Sequence, residues 1–307
     1  MALTISVGSG KGGTGKSTFL SNIALLLAKS GKRVCVVDLD VGGANAHILF
    51  GLFQPKYTIT DFITRKVNSI DEAIHTFEGF YGLQLLPGSG ETLRTANMTF
   101  QEKLRLLRSI SKIDTDIVLI DIGAGTGYHG LDFFMFSDLQ ICVTMAEPTS
   151  IMDFYKFIQL ATIRKALNSF LSHSEVSKQL QQQDFESIAE VLDLAEQVQE
   201  GARLKIEKAL ASFHPMLVVN RVVPGSKLNI FKLKKLTARY LGIYLPELGE
   251  IPADTCVTDA VHSYLPVTEY TPTAKSSLAL QQIADKLLQV IDLFQTDRTS
   301  LDTLRKQ

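Results

Sequence analysis

The sequence predicts an α/β fold, with a mostly parallel central sheet and helices on both faces. Three observations carry that prediction. Short apolar runs recur, segments of helical period separate them, and glycine-rich or acidic segments follow several runs, where the ligands of parallel sheets bind.

Leu3 to Val7, Val34 to Val37, Leu83 to Leu86, Ile117 to Ile120, Ile141 to Thr144 and Leu217 to Val219 each read as a buried strand. Ser17 to Lys29 and Lys103 to Ser111 read as helices between them. One segment breaks the rhythm. Residues 165–213 are expected to form a helical insertion, because Ile188, Val191, Leu192, Ala195 and Val198 share one helical face. Packing on its own domain is favoured for that face over a partner-docking arm. At the end of the chain Ile283, Leu287, Leu288, Ile291 and Phe294 form a stripe expected to pack on the core, followed by a polar tail at 295–307.

The chain has 307 residues, 45% of them hydrophobic and 21% charged, enough for a substantial core. The strand and helix alternation favours a single domain over 1–307. A formal net charge of -1 excludes nucleic-acid binding by bulk positive charge. Cys35, Cys142 and Cys256 lie far apart, so neither a disulfide framework nor a zinc or iron-sulfur cradle is expected. No segment reads as a signal peptide or reaches membrane-spanning length, and a cytoplasmic protein is expected.

The strongest motif is the stretch from Gly8 to Thr18, GSGKGGTGKST. Gly10, Gly15, Lys16 and Ser17 fit G-x-x-x-x-G-K-[ST] between a predicted strand and a predicted helix, the context of a phosphate-binding P-loop. Glycines let backbone amides approach phosphate oxygens, and the helix adds the positive end of its dipole. Lys16 is expected to neutralise the β and γ phosphates, and the Ser17 hydroxyl to complete a magnesium shell. Lys11 is additional to the pattern. It can point away from its own phosphates or across to those of a second molecule.

Asp38-Leu39-Asp40 follows a predicted strand, so both carboxylates fall near the γ phosphate and the magnesium ion. The run Ile117 to Ile120 ends in Asp121, the Walker B pattern, which places that acid to hold a magnesium-bound water. Glycines 123, 125 and 127 then permit a loop that rearranges with the γ phosphate. His47 is read as a satisfied surface histidine. Asn220-Arg221 ends a further strand with an amide that can offer both a donor and an acceptor to a purine edge. No N-K-x-D guanine signature occurs, so ATP is preferred to GTP.

The run Lys11-Gly12-Gly13-Thr14-Gly15-Lys16-Ser17-Thr18 resembles the deviant Walker A loop of the MinD/ParA ATPases, P-loop NTPases of the SIMIBI class. The resemblance implies a slow, switch-type ATPase that uses ATP and Mg2+. In that family two protomers sandwich two ATP molecules, so Lys11 would reach the partner's phosphates in an ATP-dependent homodimer. Asp40 would orient the attacking water, Asp38 would support the magnesium-water shell, and the Gly123 amide would meet the γ phosphate. Asn45 resembles a family asparagine near the first switch. Asn220, with Arg221 beside it, would read adenine, and Pro252-Ala253-Asp254 would lie along the base.

Residues 146–155, 257–261 and 121–125 are most similar to the FlhG branch, MinD relatives that set flagellar number and position. Two features depart from that pattern. The end of the sequence is expected to form a core-packed helix and not the basic amphipathic helix that MinD relatives use on membranes, and no activating extension is expected before the loop. The implied protein is a positioning switch with a protein partner and transient, peripheral membrane association. Lys227, Lys232, Lys234, Lys235 and Arg239 leave open a ParA-like DNA-partitioning reading, with Ile230, Phe231, Leu233 and Leu236 as the buried side of that helix. A non-catalytic nucleotide-sensing module is the third reading, and the absence of paired cysteines counts against an iron-sulfur or nitrogenase-type ATPase.

Overall fold

The computed structural model describes residues 2–40, 43–88, 98–171, 174–225 and 230–304, with 297–304 described by their helical backbone alone. Among these residues β1 (Leu3–Gly8), β2 (Val34–Leu39), β3 (His75–Phe77), β4 (Leu83–Leu86), β5 (Ile117–Ile122), β6 (Leu139–Met145), β7 (Met216–Val222) and β8 (Glu247–Pro252) form one sheet. Its order is β3-β4-β2-β5-β1-β6-β7-β8, parallel throughout except where β3 pairs with β4.

The helices are α1 (Lys16–Lys29), α2 (Ile59–Ile63), α3 (Phe100–Ile110), α4 (Tyr128–Phe136), α5 (Pro148–Leu167), α6 (Glu175–Gln181), α7 (Ile188–Val198), α8 (Ala202–Leu210), α9 (Ile230–Leu241), α10 (Thr255–His262), α11 (Val267–Tyr270) and α12 (Lys275–Leu304). Alternation along each strand divides its side chains between two cores. Val34, Val36, Ile117 and Leu119 join Leu3, Ile5 and Val7 against α1 and α12. Their neighbours Cys35, Val37, Val118 and Ile120 face the other way, against α3, α4 and α5. With helices on both sides, the strands carry the continuous apolar runs by which the sequence marks them.

Strand β3 has no counterpart among the expected strands. It is three partly exposed residues, His-Thr-Phe, at the antiparallel edge, too short for a periodic pattern. Within 165–213, the end of α5 is followed by α6, α7 and α8, and Ile188, Val191, Leu192 and Ala195 are buried in the same core as α5. Along α12, Ile283, Leu287 and Ile291 are buried, and the helical backbone continues to Leu304.

Helix α9 differs from expectation. Leu233, Thr237 and Leu241 are its buried residues, whereas Phe231 is 76% and Leu236 37% exposed, so neither belongs to the buried side. The helix docks on a stripe near 233-237-241, which turns Phe231 outward. Lys234 is engaged with Glu247 at 2.7 Å, and Lys227 lies outside the described residues.

Candidate functional site

The central strand β1 lies between β5 and β6. It delivers the loop after Gly8 to the carboxyl edge, where the chain crosses from one half of the sheet to the other. Close approach fixes that loop. A Cβ on Gly10 would sit 2.0 Å from the Asp153 carbonyl oxygen of α5, and one on Gly8 2.8 Å from the Phe157 ring. Gly13 and Gly15 have φ of 76° and 87°, the left-handed region that a side chain disfavours. The Ser9 hydroxyl donates to the Lys11 carbonyl at 2.7 Å. Helix α1 opens at Lys16, so its free amides and dipole point into the loop, with Ser17 and Thr18 in the first turn. Lys16 itself is buried, while Gly12 and Gly13 are exposed.

Asp38 and Asp121 are direct neighbours in the register of β2 and β5, and both are buried. Asp38 accepts from the amides of Asp40 and Ala46, each at 3.1 Å. Burial, then the facing Asp121, push the Asp38 carboxyl well above the usual carboxylate range. Asp121 is pushed up to about 6, chiefly by burial, while the Ser17 hydroxyl and the Lys16 ammonium favour its charged form. Neither of its buried carboxylate oxygens has a hydrogen-bond partner of normal geometry. Two adjacent buried acids, one of them unsatisfied and beside a lysine and a serine, form a site with an excess of negative charge.

The two candidate switch segments touch. A Cβ on Gly123 would lie 3.0 Å from Asp40 Oδ1, which places the carboxylate against that backbone. The Gly125 amide donates to the Ser9 carbonyl at 3.0 Å, tying the later loop to the phosphate loop. Beyond it, Asp132 of α4 is clamped between Lys103 of α3 and Arg164 of α5, the latter at 2.7 Å. Asn45 is exposed nearby. His47 departs from the surface reading, because it is half-buried and its Nδ1 is enclosed without a partner. Burial accordingly lowers its pKa.

Lys11 is half-buried at the start of the loop. Among the described residues its ammonium meets only the Thr149 hydroxyl, an exposed contact at 3.3 Å. Such a bond to a neutral hydroxyl in water contributes little, so the side chain is free to leave it. Thr149 and Asp153 bear on the loop from α5, through contacts that only the fold creates.

A cleft of about 500 Å³ opens at the other end of the loop, between Gly15 to Phe19, the ends of β7 and β8, and α10. Asn220, Arg221, Pro252 and Asp254 all line it. The Asn220 amide nitrogen donates to the Thr14 carbonyl at 2.8 Å, and its oxygen accepts the Arg221 amide at 2.9 Å. Asp254 caps α10 through the Cys256 amide and accepts from the Ser276 amide and hydroxyl at 3.1 and 3.0 Å. Burial raises its pKa, but the Ser276 and Cys256 bonds outweigh that and hold it below the usual value.

Comparison with protein families matches residues 5–267 to the CobQ/CobB/MinD/ParA nucleotide binding domain. The chain belongs to this family. Antiactivator FleN of Pseudomonas aeruginosa is 29% identical over 92% of the chain and 85% of its own length. The septum site-determining protein MinD of Helicobacter pylori is 26% identical over 94% and 91%. The flagellum site-determining protein YlxH of the same organism is 33% identical over 52% and 54%. Among solved structures, MinD of Pyrococcus horikoshii complexed with Mg-ADP has a TM-score of 0.67 at 21% identity, covering 96% of this chain and 99% of that one. The family and the fold are therefore those the loop implied. No helix among the described residues is long and apolar enough to cross a membrane.

Proposed function

We propose that this chain is an ATP-driven dimerisation switch, a slow ATPase of the MinD type that controls the position or assembly of a cellular structure. One observation carries the reading. Asp121 keeps two buried, unpartnered carboxylate oxygens beside Ser17 and Lys16, with Asp38 alongside, and a divalent cation bound with a nucleotide relieves that arrangement. Ser17 and Asp121 would hold magnesium, with Asp38 supporting its shell. When bound, magnesium would neutralise charge on the β and γ phosphates.

The protein's own part is positioning and charge stabilisation. Lys16 neutralises phosphate oxygens from within the loop. Asp40, resting on Gly123, orients water at the γ position, and the Gly123 amide can report whether the γ phosphate is present. Lys11, held only by an exposed contact with Thr149, is suited to the phosphates of a second protomer. The relatives named for flagellum and septum site determination support a spatial role; that role would use a protein partner and peripheral attachment to the membrane. An outward Phe231 and a Lys234 engaged by Glu247 make α9 less suited to tracking DNA phosphates. Calorimetry with Mg-ATP tests the reading. The wild type should bind and Lys16→Ala should not; equal affinity of the two would refute it.

A further inference from the structure

We propose that the outward ridge of α3 is a docking surface for an acidic segment of a protein partner. The inference rests on the reading that the switch works through such a partner, and it names the chemistry of the surface the partner brings.

Helix α3 buries Lys103, Leu106, Leu107 and Ile110, so the opposite side of its cylinder faces water. Gln101, Arg105 and Arg108 follow one another there at i, i+4 and i+7, and Lys112 continues the row just past the last turn. With Leu104 and Ser109 they line a shallow groove of about 350 Å³ whose lining contains no carboxylate. Like charges three and four residues apart on a helix oppose its formation, and an anion laid over them removes that opposition. The helix dipole accounts for cations at the end of α3, but not for Arg105 more than a turn before it.

Arg105 is also fixed in place. Its guanidinium donates to the Phe62 and Ile63 carbonyls at the end of α2, at 2.6 and 3.0 Å, and lies over the Phe62 ring at 4.6 Å. Carbonyls orient this cation without cancelling its charge. The Arg65 amide meets the same Phe62 carbonyl at 3.1 Å, and Arg65 has a φ of 61°, a left-handed position usually given to glycine. The chain thus carries a fourth cationic residue next to Arg105. The neighbouring acids are engaged elsewhere. Glu102 caps α3 through Thr99, Asp61 caps α2 through Thr58 and holds Lys66, and Asp114 and Asp116 hold Arg33. Among the described residues, Arg105, Arg108 and Lys112 have no carboxylate partner.

The residues beside the row select a protein as the occupant. Phe100, 68% exposed, stands one turn before the half-buried Leu104, so an apolar flank runs along the cations. Arginine together with an exposed aromatic ring is the composition of the energetic centre of protein interfaces. The guanidinium fork of Arg108 suits the carboxylates of Asp and Glu. A membrane surface calls for a broad face with several inserted side chains, and duplex DNA has no use for the apolar flank. A helix with glutamates on one face and leucines beside them fits both features of the ridge.

The probe is a fluorescein-labelled synthetic helix with glutamates at i, i+4 and i+7 and leucines alongside, measured by anisotropy against the full chain at low salt. The wild type should bind it, less tightly as salt rises, and should not bind the same peptide with glutamine for glutamate. Arg108→Glu/Lys112→Glu should lose at least about tenfold in affinity, and should gain affinity for a peptide carrying arginine in place of glutamate. Its affinity for Mg-ATP should equal that of the wild type. No binding of the glutamate peptide by the wild type, equal affinity of wild type and variant, or failure of the charge swap overturns the proposal. Tighter retention of the wild type on duplex DNA or on phosphatidylglycerol vesicles, lost in the same variant, also overturns it, by assigning the row to phosphates. If the double variant does not fold by circular dichroism, Arg108→Gln and Lys112→Gln are measured singly, and peptide binding that neither weakens overturns the proposal. A wild type that binds the peptide but not Mg-ATP would sink the nucleotide site and leave the docking surface standing.

Discussion

The two ends of the cleft are built on different principles. At the phosphate end, contributions are divided between one contiguous loop and the end of β5: glycines supply backbone approach, Lys16 supplies charge, and Ser17 with Asp121 offers oxygens to a cation. Their polar groups wait for something, as the unpartnered oxygens of Asp121 show. At the base end, Asn220 and Asp254 already have protein partners in Thr14, Arg221, Cys256 and Ser276, with one N–H of the Asn220 amide left over. The contrast teaches that unmet polar demand marks where ligand binding energy enters, whereas met demand marks where the site is shaped in advance.

If that division holds, substitutions at the two ends should differ in kind. The largest effect is expected at Lys16→Ala, a loss of at least about a hundredfold in ATP affinity by calorimetry, because a buried charge-assisted contact to phosphate disappears. Behind the switch loop, Asp132→Ala should cost about 3 kcal/mol in denaturant unfolding, since Lys103 and Arg164 would be left facing each other without their shared anion. Asp121→Asn should act in opposite directions on the two states. Without ligand it should stabilise the protein by about 2 kcal/mol at pH 7.5, because an ionised carboxyl held at about 6 by burial is unfavourable there. In the same variant, magnesium-dependent nucleotide affinity should fall.

The smallest effect is expected at the base end. Asp254→Ala should cost about 1 kcal/mol, the usual value of a helix cap, with nucleotide selectivity unchanged. Its carboxyl is held below the usual value in the folded state, so its contribution is present above the unfolded pKa, about 4, and is lost as pH falls through the folded value. Melts of wild type and variant should therefore converge in acid. A selectivity change in Asp254→Ala would blur the comparison between the two ends.

The same division explains what was legible in the sequence. The sheet could be read because strands covered on both faces carry uninterrupted apolar runs, and the loop because its chemistry is contiguous. That Asp38 and Asp121 serve one site was legible from two strands each ending in acid, whereas their direct pairing in the register was not. What escaped depends on register and helix rotation. Nothing near Asn220 in the sequence announces the shift in the register of β7 on β8 beside it, and the α9 pattern did not reveal that Phe231 faces outward. Edge strand β3 was too short to signal itself. Half-buried His47, with its enclosed Nδ1, could not be told from a surface histidine by sequence alone.

The central claim is that the phosphate end is completed by a second chain through Lys11. Light scattering of Asp40→Ala with Mg-ATP tests it most directly, with Asp40→Ala/Lys11→Ala alongside. The account predicts a dimer for the single variant in ATP and a monomer in ADP, and for the double variant a monomer that still binds ATP by calorimetry. A single variant that stays monomeric in ATP, or a double variant that dimerises as fully as the single one, would contradict it.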